Sequence, residues 1–158
     1  MPVHLVYITV DLNAQTPLNL FYNIAVPVIQ HPLGWVRYGH TFKITNNPKE
    51  AEIQITLLPQ AEMDKAFPSF AADRLSLCNM ETKEIFVNED RWLRRYPDMS
   101  QLQLPAYRAY VLQHEIGHAL GKGHAKCKQK GERAPVMLQQ TLGLKGCIPY
   151  PFPFYSCA

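Results

Sequence analysis

No stretch of this chain approaches the ~18 consecutive apolar residues of a membrane-crossing helix, so a transmembrane span is excluded from the 158 residues. Charge of one sign is also scarce. A formal net charge of +3 is too small to argue for a nucleic-acid partner, and no RNA- or DNA-binding signature accompanies it. Neither an internal repeat nor a long linker is present. The opening "MPVHLVYITVDLN" lacks the basic flank, long apolar core and small-residue cleavage site of a signal peptide. Either the chain is not exported by that route or a leader has been removed.

What remains reads as one soluble globular domain, with 47% hydrophobic and 18% charged residues. Its length is enough to bury roughly two-thirds of the unfolded surface. The four cysteines are an even number, which suits an oxidised, extracytoplasmic setting with three alternative pairings. Lys122, Lys126, Lys128, Lys130 and Arg133 form a local basic run. Its plain reading is a solvated loop, and its sharper reading is a preference for acidic ligands.

The N-terminal residues alternate, with Val3, Leu5, Tyr7 and Thr9 set against His4, Val6, Ile8 and Val10, which predicts a strand. "TPLNLFYNIAVPVIQHP" has helical spacing, with a Thr16 cap and Pro27 expected to kink or shorten it. "WVRYGHTFKIT" predicts a second strand and "AEIQITLLP" a third. Strands at 74–80 and 84–88 follow, joined by a polar turn. "RWLRRYP" predicts a short helix, and "PAYRAYVLQHEIGHALG" a long one with Pro105 at its start. Beyond Gly121 the chain is rich in glycine and proline. Strands alternating with helices, then an irregular tail, predict a mixed α/β domain with a mostly parallel sheet.

The chain has six histidines, and three of them fall in "LQHEIGHALGKGHAKC". Residues four apart lie one above the other on a helix, so His114 and His118 present two imidazoles to one tetrahedral zinc ion. Glu115 sits about 100° further round. There it flanks the metal, where a carboxylate can take a proton from an activated water. A third histidine on the same helix would point away, so the chain must turn back. Gly121 and Gly123 permit that turn, and His124 closes the site. The full H-E-x-x-H-x-x-G-x-x-H pattern is roughly 500-fold rarer by chance than its first half.

"HEIGHALGKGH" resembles the zinc-peptidase signature of the metzincins. In that family a methionine in a tight downstream turn forms a floor beneath the metal. Met137 in "APVMLQQ" is the matching residue, although a methionine near a proline is ordinarily plain core. "HPLGW", "RLSLC", "RAPVMLQQTLGLKGC" and "PYPFPF" extend the resemblance to an uncharacterised family of bacterial metzincin-like domains, usually exported or membrane-tethered. Members usually carry one more cysteine ahead of the position matching Cys78, and here none precedes it. The resemblance implies one catalytic domain, with an upper subdomain over 1–121 and a lower one over 122–158. It implies a twisted, mostly parallel sheet with an antiparallel edge strand, a backing helix, a long active-site helix and an irregular C-terminal part with a Met-turn.

The function so implied is a zinc-dependent metalloendopeptidase, a monomer acting on a peptide or protein substrate. His114, His118 and His124 would hold one catalytic Zn2+, with Glu115 as general base. "RLSLCNM" would be the edge strand that pairs with an extended substrate. Tyr150 and Tyr155 could assist from the tail, although packing is their plainer role. Two other readings stay open: a non-catalytic, zinc-stabilised binding module, and a zinc hydrolase of another amide. Glu115 favours the enzymes, since a structural zinc needs no base. A Cys127–Cys147 bridge would enclose both the third-ligand loop and the Met137 segment. Cys78 and Cys157 are then left over, as a second pair or as thiols.

Overall fold

In a computed structural model, which describes residues 2–70, 75–94 and 102–154, the alternating N-terminal stretch is strand β1 (Val3–Val10). His4, Val6 and Ile8 are buried, while the alternate residues Leu5, Tyr7 and Thr9 are half-buried. Helix α1 (Leu18–Ile29) carries the chain over to β2 (Thr41–Ile44), which runs parallel to β1 with Val6 opposite Ile44. Strand β3 (Ile53–Leu58) pairs parallel with the other side of β1. Beyond it come β4 (Leu77–Asn79) and β5 (Glu84–Asn88), the latter parallel to β3 and the former antiparallel to β5 at the sheet's rim. The order is β2-β1-β3-β5-β4. This is the expected mixed α/β architecture, a mostly parallel sheet with one antiparallel edge strand.

Period-two alternation places Ile53, Ile55 and Leu57 of β3 and Ile85 and Val87 of β5 fully inside. Against that layer pack α1 and the long helix α4 (Leu104–Ala119), which also touch each other. Pro105 stands in the first turn of α4, where its missing N–H costs nothing. Eleven of its sixteen residues are buried. A helix covered on so many sides is a central element rather than a surface one.

Several expectations need correcting. Trp35–Tyr38 is a 3-10 turn, not the start of the second strand. The Trp35 indole is buried and donates from Nε1 to the Gln113 carbonyl at 2.8 Å. Gly39 then takes φ 92°, so tertiary anchoring overrides the β propensity of "WVRY". Thr16 does not cap α1; Pro17 occupies that position without a side-chain bond. Instead, the backbone N–H groups of Gln15 and Thr16 donate to the Glu89 carboxylate at 3.2 and 2.9 Å. Pro27 does not stop α1 at once; the helix ends two residues later.

Helix α2 (Gln60–Ala66) was not foreseen. Pro59, which ends the third strand, also opens this helix, and the Asn88 side-chain amide donates to Gln60 Oε1 at 2.7 Å. The strand expected over 74–80 is shorter, and Arg74 lies outside the described residues. Helix α3 (Glu89–Leu93) begins two residues before "RWLRRYP" because Asn88 caps it, accepting from the Arg91 N–H at 3.2 Å. Arg95 to Pro97 of that stretch lie outside the described residues. After Ala119 the only regular features among the described residues are a 3-10 turn at Gln140–Leu142 and a bridge between Arg133 and Ile148.

Candidate metal centre

The site is built on the last two turns of α4. His114 and His118 stand one turn apart there, with ring centroids 4.8 Å from each other. The helix closes at Leu120, and Gly121 takes φ 90°, a left-handed conformation that turns the chain back. His124 returns with its ring 4.8 Å from His118 and 5.5 Å from His114. One nitrogen from each ring falls within 4.8 Å of the other two.

Backbone carbonyls fix which nitrogens face the centre. His114 Nδ1 lies 2.7 Å from the Val136 carbonyl oxygen, and His118 Nδ1 lies 2.8 Å from that of Lys122. A carbonyl only accepts, so each Nδ1 carries the proton and each Nε2 presents a lone pair. The Nε2 atoms of His118 and His124 are 3.1 Å apart. That is a hydrogen bond if His124 is protonated on Nε2. It also suits two ligands of one tetrahedral zinc, whose nitrogens stand about 3.3 Å apart. Burial drives His114 down to about 3 against the upward pull of the Val136 carbonyl, and burial lowers His118 too. Both therefore stand neutral, the form that binds metal. This donor set fits a zinc or similar ion.

Glu115 is the costly residue. Its carboxyl is fully buried, and burial raises it to about 8. Oε2 has no hydrogen-bond partner among the described residues. Such a group is expensive to bury unless water or a nearby cation joins it. It faces a cavity of about 350 Å³ that also meets His114, His118 and His124. Apolar side chains of Phe70, Leu77, Met80 and Val111 form much of the remaining wall. Cys78, on β4, reaches the same cavity, and burial pushes its thiol up to about 12.

The underside of the site comes from the glycine- and proline-rich tail. The Leu138 N–H donates to the Pro135 carbonyl at 3.0 Å, closing a turn with Val136 and Met137 at its centre. Val136 supplies the carbonyl on His114, and the Met137 carbonyl accepts from the Ala125 N–H at 2.9 Å, one residue past His124. Met137 itself is buried, its sulfur against Gly117 of α4. Cys127 and Cys147 are joined by a disulfide across this segment, with 5.9 Å between their Cα atoms. Cys78 is a free thiol, and Cys157 lies outside the described residues, as does Tyr155.

The structure thus brings together His114, Glu115, His118 and His124, with Met137 close by. Tyr150 stays out of the cavity. Its ring lies beneath the Arg133 guanidinium at 4.5 Å, and its backbone is held by Gln140. Sequence reasoning missed Tyr110, which lines the cavity and ties α4 to the tail. Its hydroxyl donates to the Leu138 carbonyl at 3.0 Å and accepts from the Gln140 N–H at 2.9 Å. It stands four residues before His114, so the spacing that picked out His118 would have found it.

Residues 6–149 match the family described as "Protein of unknown function (DUF3152)". No curated protein matches the sequence. Among solved structures, archaemetzincin from Methanopyrus kandleri superposes with a TM-score of 0.57 at 17% sequence identity. The match covers 98% of this chain and 91% of that one. The shared feature is the fold.

Proposed function

The chain belongs to the DUF3152 family, and we propose that on its archaemetzincin-like fold it acts as a zinc-dependent metalloendopeptidase. One observation carries this reading. A buried carboxyl group, that of Glu115, keeps an oxygen without a partner among the described residues at the cavity that three converging imidazoles also face. A zinc held only for stability would be closed by a fourth ligand and would gain nothing from such a group.

In this reading His114, His118 and His124 hold one zinc ion through Nε2. The Val136 and Lys122 carbonyls orient the first two rings. When bound, zinc supplies Lewis acidity and brings the pKa of water from 15.7 towards ~7. Glu115 takes the proton of the attacking water and passes it to the leaving amine. The outer edge of β4 donates and accepts main-chain hydrogen bonds along an extended substrate. That substrate lies between an upper part, residues 1–121, and a lower part, residues 122–158. Met137 serves as the Met-turn residue beneath the site and touches no metal. The disulfide leans towards an extracytoplasmic setting, where such bonds persist.

The test uses unfolded casein, with and without a chelator, and the Glu115→Ala variant. Cleavage that needs about one zinc per chain is expected. Glu115→Ala should retain fold and zinc while losing 10²–10⁴-fold in turnover, about the usual worth of a placed base. Stoichiometric zinc with no hydrolysis of any peptide by the native protein would favour a binding module.

A further inference from the structure

The net positive charge of this protein is not spread over it. Residues 122–158 hold six lysines and arginines against one acid, a formal +5, while residues 1–121 hold ten against twelve, a formal −2. Lys126, Lys128, Lys130, Arg133 and Lys145 are all exposed. None of them makes an ion pair among the described residues. Like charges gathered without counter-charges repel one another, which favours an anionic partner.

This charge sits on a fixed surface. The Cys127–Cys147 bridge closes the segment. Gly131 N–H donates to the Gly146 carbonyl at 2.9 Å, Ile148 N–H to Glu132 at 2.8 Å and Ala134 N–H to Ile148 at 2.7 Å. The Lys130 stem lies against Gly146, next to Lys145. The basic run also starts at the metal centre. Lys122 supplies the carbonyl on His118, and Lys126 follows His124 by two residues. His124 lines the cavity, so the exposed basic run begins two residues from its wall.

We infer that the disulfide-tied loop after His124 is a substrate-selecting surface that favours polypeptides with acidic side chains flanking the scissile bond. The inference rests on the peptidase reading and names its substrate class. A polypeptide is favoured over an anionic lipid surface because the charged loop continues directly from His124, a residue of the cavity wall.

The experiment compares three peptides with one apolar core, flanked by Asp/Glu, by Ala or by Lys. Hydrolysis is followed with the zinc-loaded native protein. Binding is followed by fluorescence anisotropy with zinc-loaded Glu115→Ala, so the surface is read even if nothing is cut. At low salt the acidic peptide should bind and turn over about tenfold better than the neutral one, the lower end of steering effects. The gap should fade near 0.5 M salt, where screening shrinks to about 4 Å. It should invert in the Lys126→Glu/Lys128→Glu/Lys130→Glu variant, whose cleavage of the Ala-flanked peptide should be unchanged. Equal binding of all three peptides overturns the inference. So does binding to phosphatidylglycerol vesicles with indifference to peptide charge. Acidic-peptide binding without hydrolysis by the native protein would remove the peptidase reading and leave the anionic-peptide surface standing.

Discussion

A methyl group on Gly117 would overlap the Met137 sulfur and stand 2.9 Å from Cζ2 of Trp35. The sulfur could swing aside; the indole, pinned by its bond to Gln113, could not. Gly117→Ala should therefore lower stability by about 1–3 kcal/mol from overpacking, offset by up to about 1 from the better helix propensity of alanine. Urea titration reads the net, and a gain in stability would show that Trp35 and Met137 repack freely. Cys78 gives a second expectation at this scale. A pKa raised to about 12 leaves on the order of one thiolate in ten thousand at pH 8, against roughly a quarter for an unburied cysteine. Native Cys78 should alkylate slowly, speeding tenfold per pH unit; peptide-level mass spectrometry checks it, and rapid labelling at pH 7 would contradict the burial. The candidate site residues were legible at this scale because His114, Glu115, His118 and His124 fall within eleven residues, so helix geometry alone relates most of them. The residues that hold them were less legible. Val136 and Trp35 reach α4 from 22 and 78 positions away, and no local pattern announces such contacts.

Among the elements, the loop from Cys127 to Cys147 has the most to lose. It has few ladder hydrogen bonds, so its covalent tie restricts the unfolded chain by about 3 kcal/mol on the loop-entropy model. Cys147→Ser should lower stability by about that amount and weaken zinc binding, because the Met137 carbonyl no longer steadies Ala125 beside His124. Thermal unfolding with and without zinc measures both effects. A variant matching the native protein in both would deny the bridge its role. Strands β1, β3 and β5 were legible because one buried face imposes period two. Trp35–Tyr38 misled for the opposite reason. Its residues favour strands by type, yet one buried indole decided their shape. Helix α2 escaped notice because only Met63 is buried along it, leaving almost no apolar stripe to read.

For the molecule as a whole, the sheet and the candidate metal centre should separate energetically. The layer of Ile53, Ile55, Leu57, Ile85 and Val87 under α1 and α4 owes nothing to a metal. His124 is exposed and reaches the centre from outside regular structure. Removing zinc with a chelator should therefore leave far-UV circular dichroism nearly unchanged while amide exchange quickens over residues 121–127. Global unfolding on chelation would mean that the ion, not the apolar layer, holds the fold together. Overall architecture was legible from the alternation of strands and helices. The strand order was not, since β3 pairs with β1 and β5 over long separations that hydrophobic pattern leaves unspecified.

The grip of Glu89 on the N–H groups of Gln15 and Thr16 has a consequence for the order of events during synthesis. Those two donors leave the ribosome more than seventy residues before their acceptor. Until Glu89 arrives, water must serve them, and the exit of β1 and the entry to α1 stay unset. The parallel partner β5 appears in the same interval, immediately ahead of Glu89. The strand that completes the sheet's parallel core and the carboxylate that locks its first crossover are thus delivered together. A nascent chain stopped short of residue 84 has neither, so the N-terminal half waits on its successor before it can close.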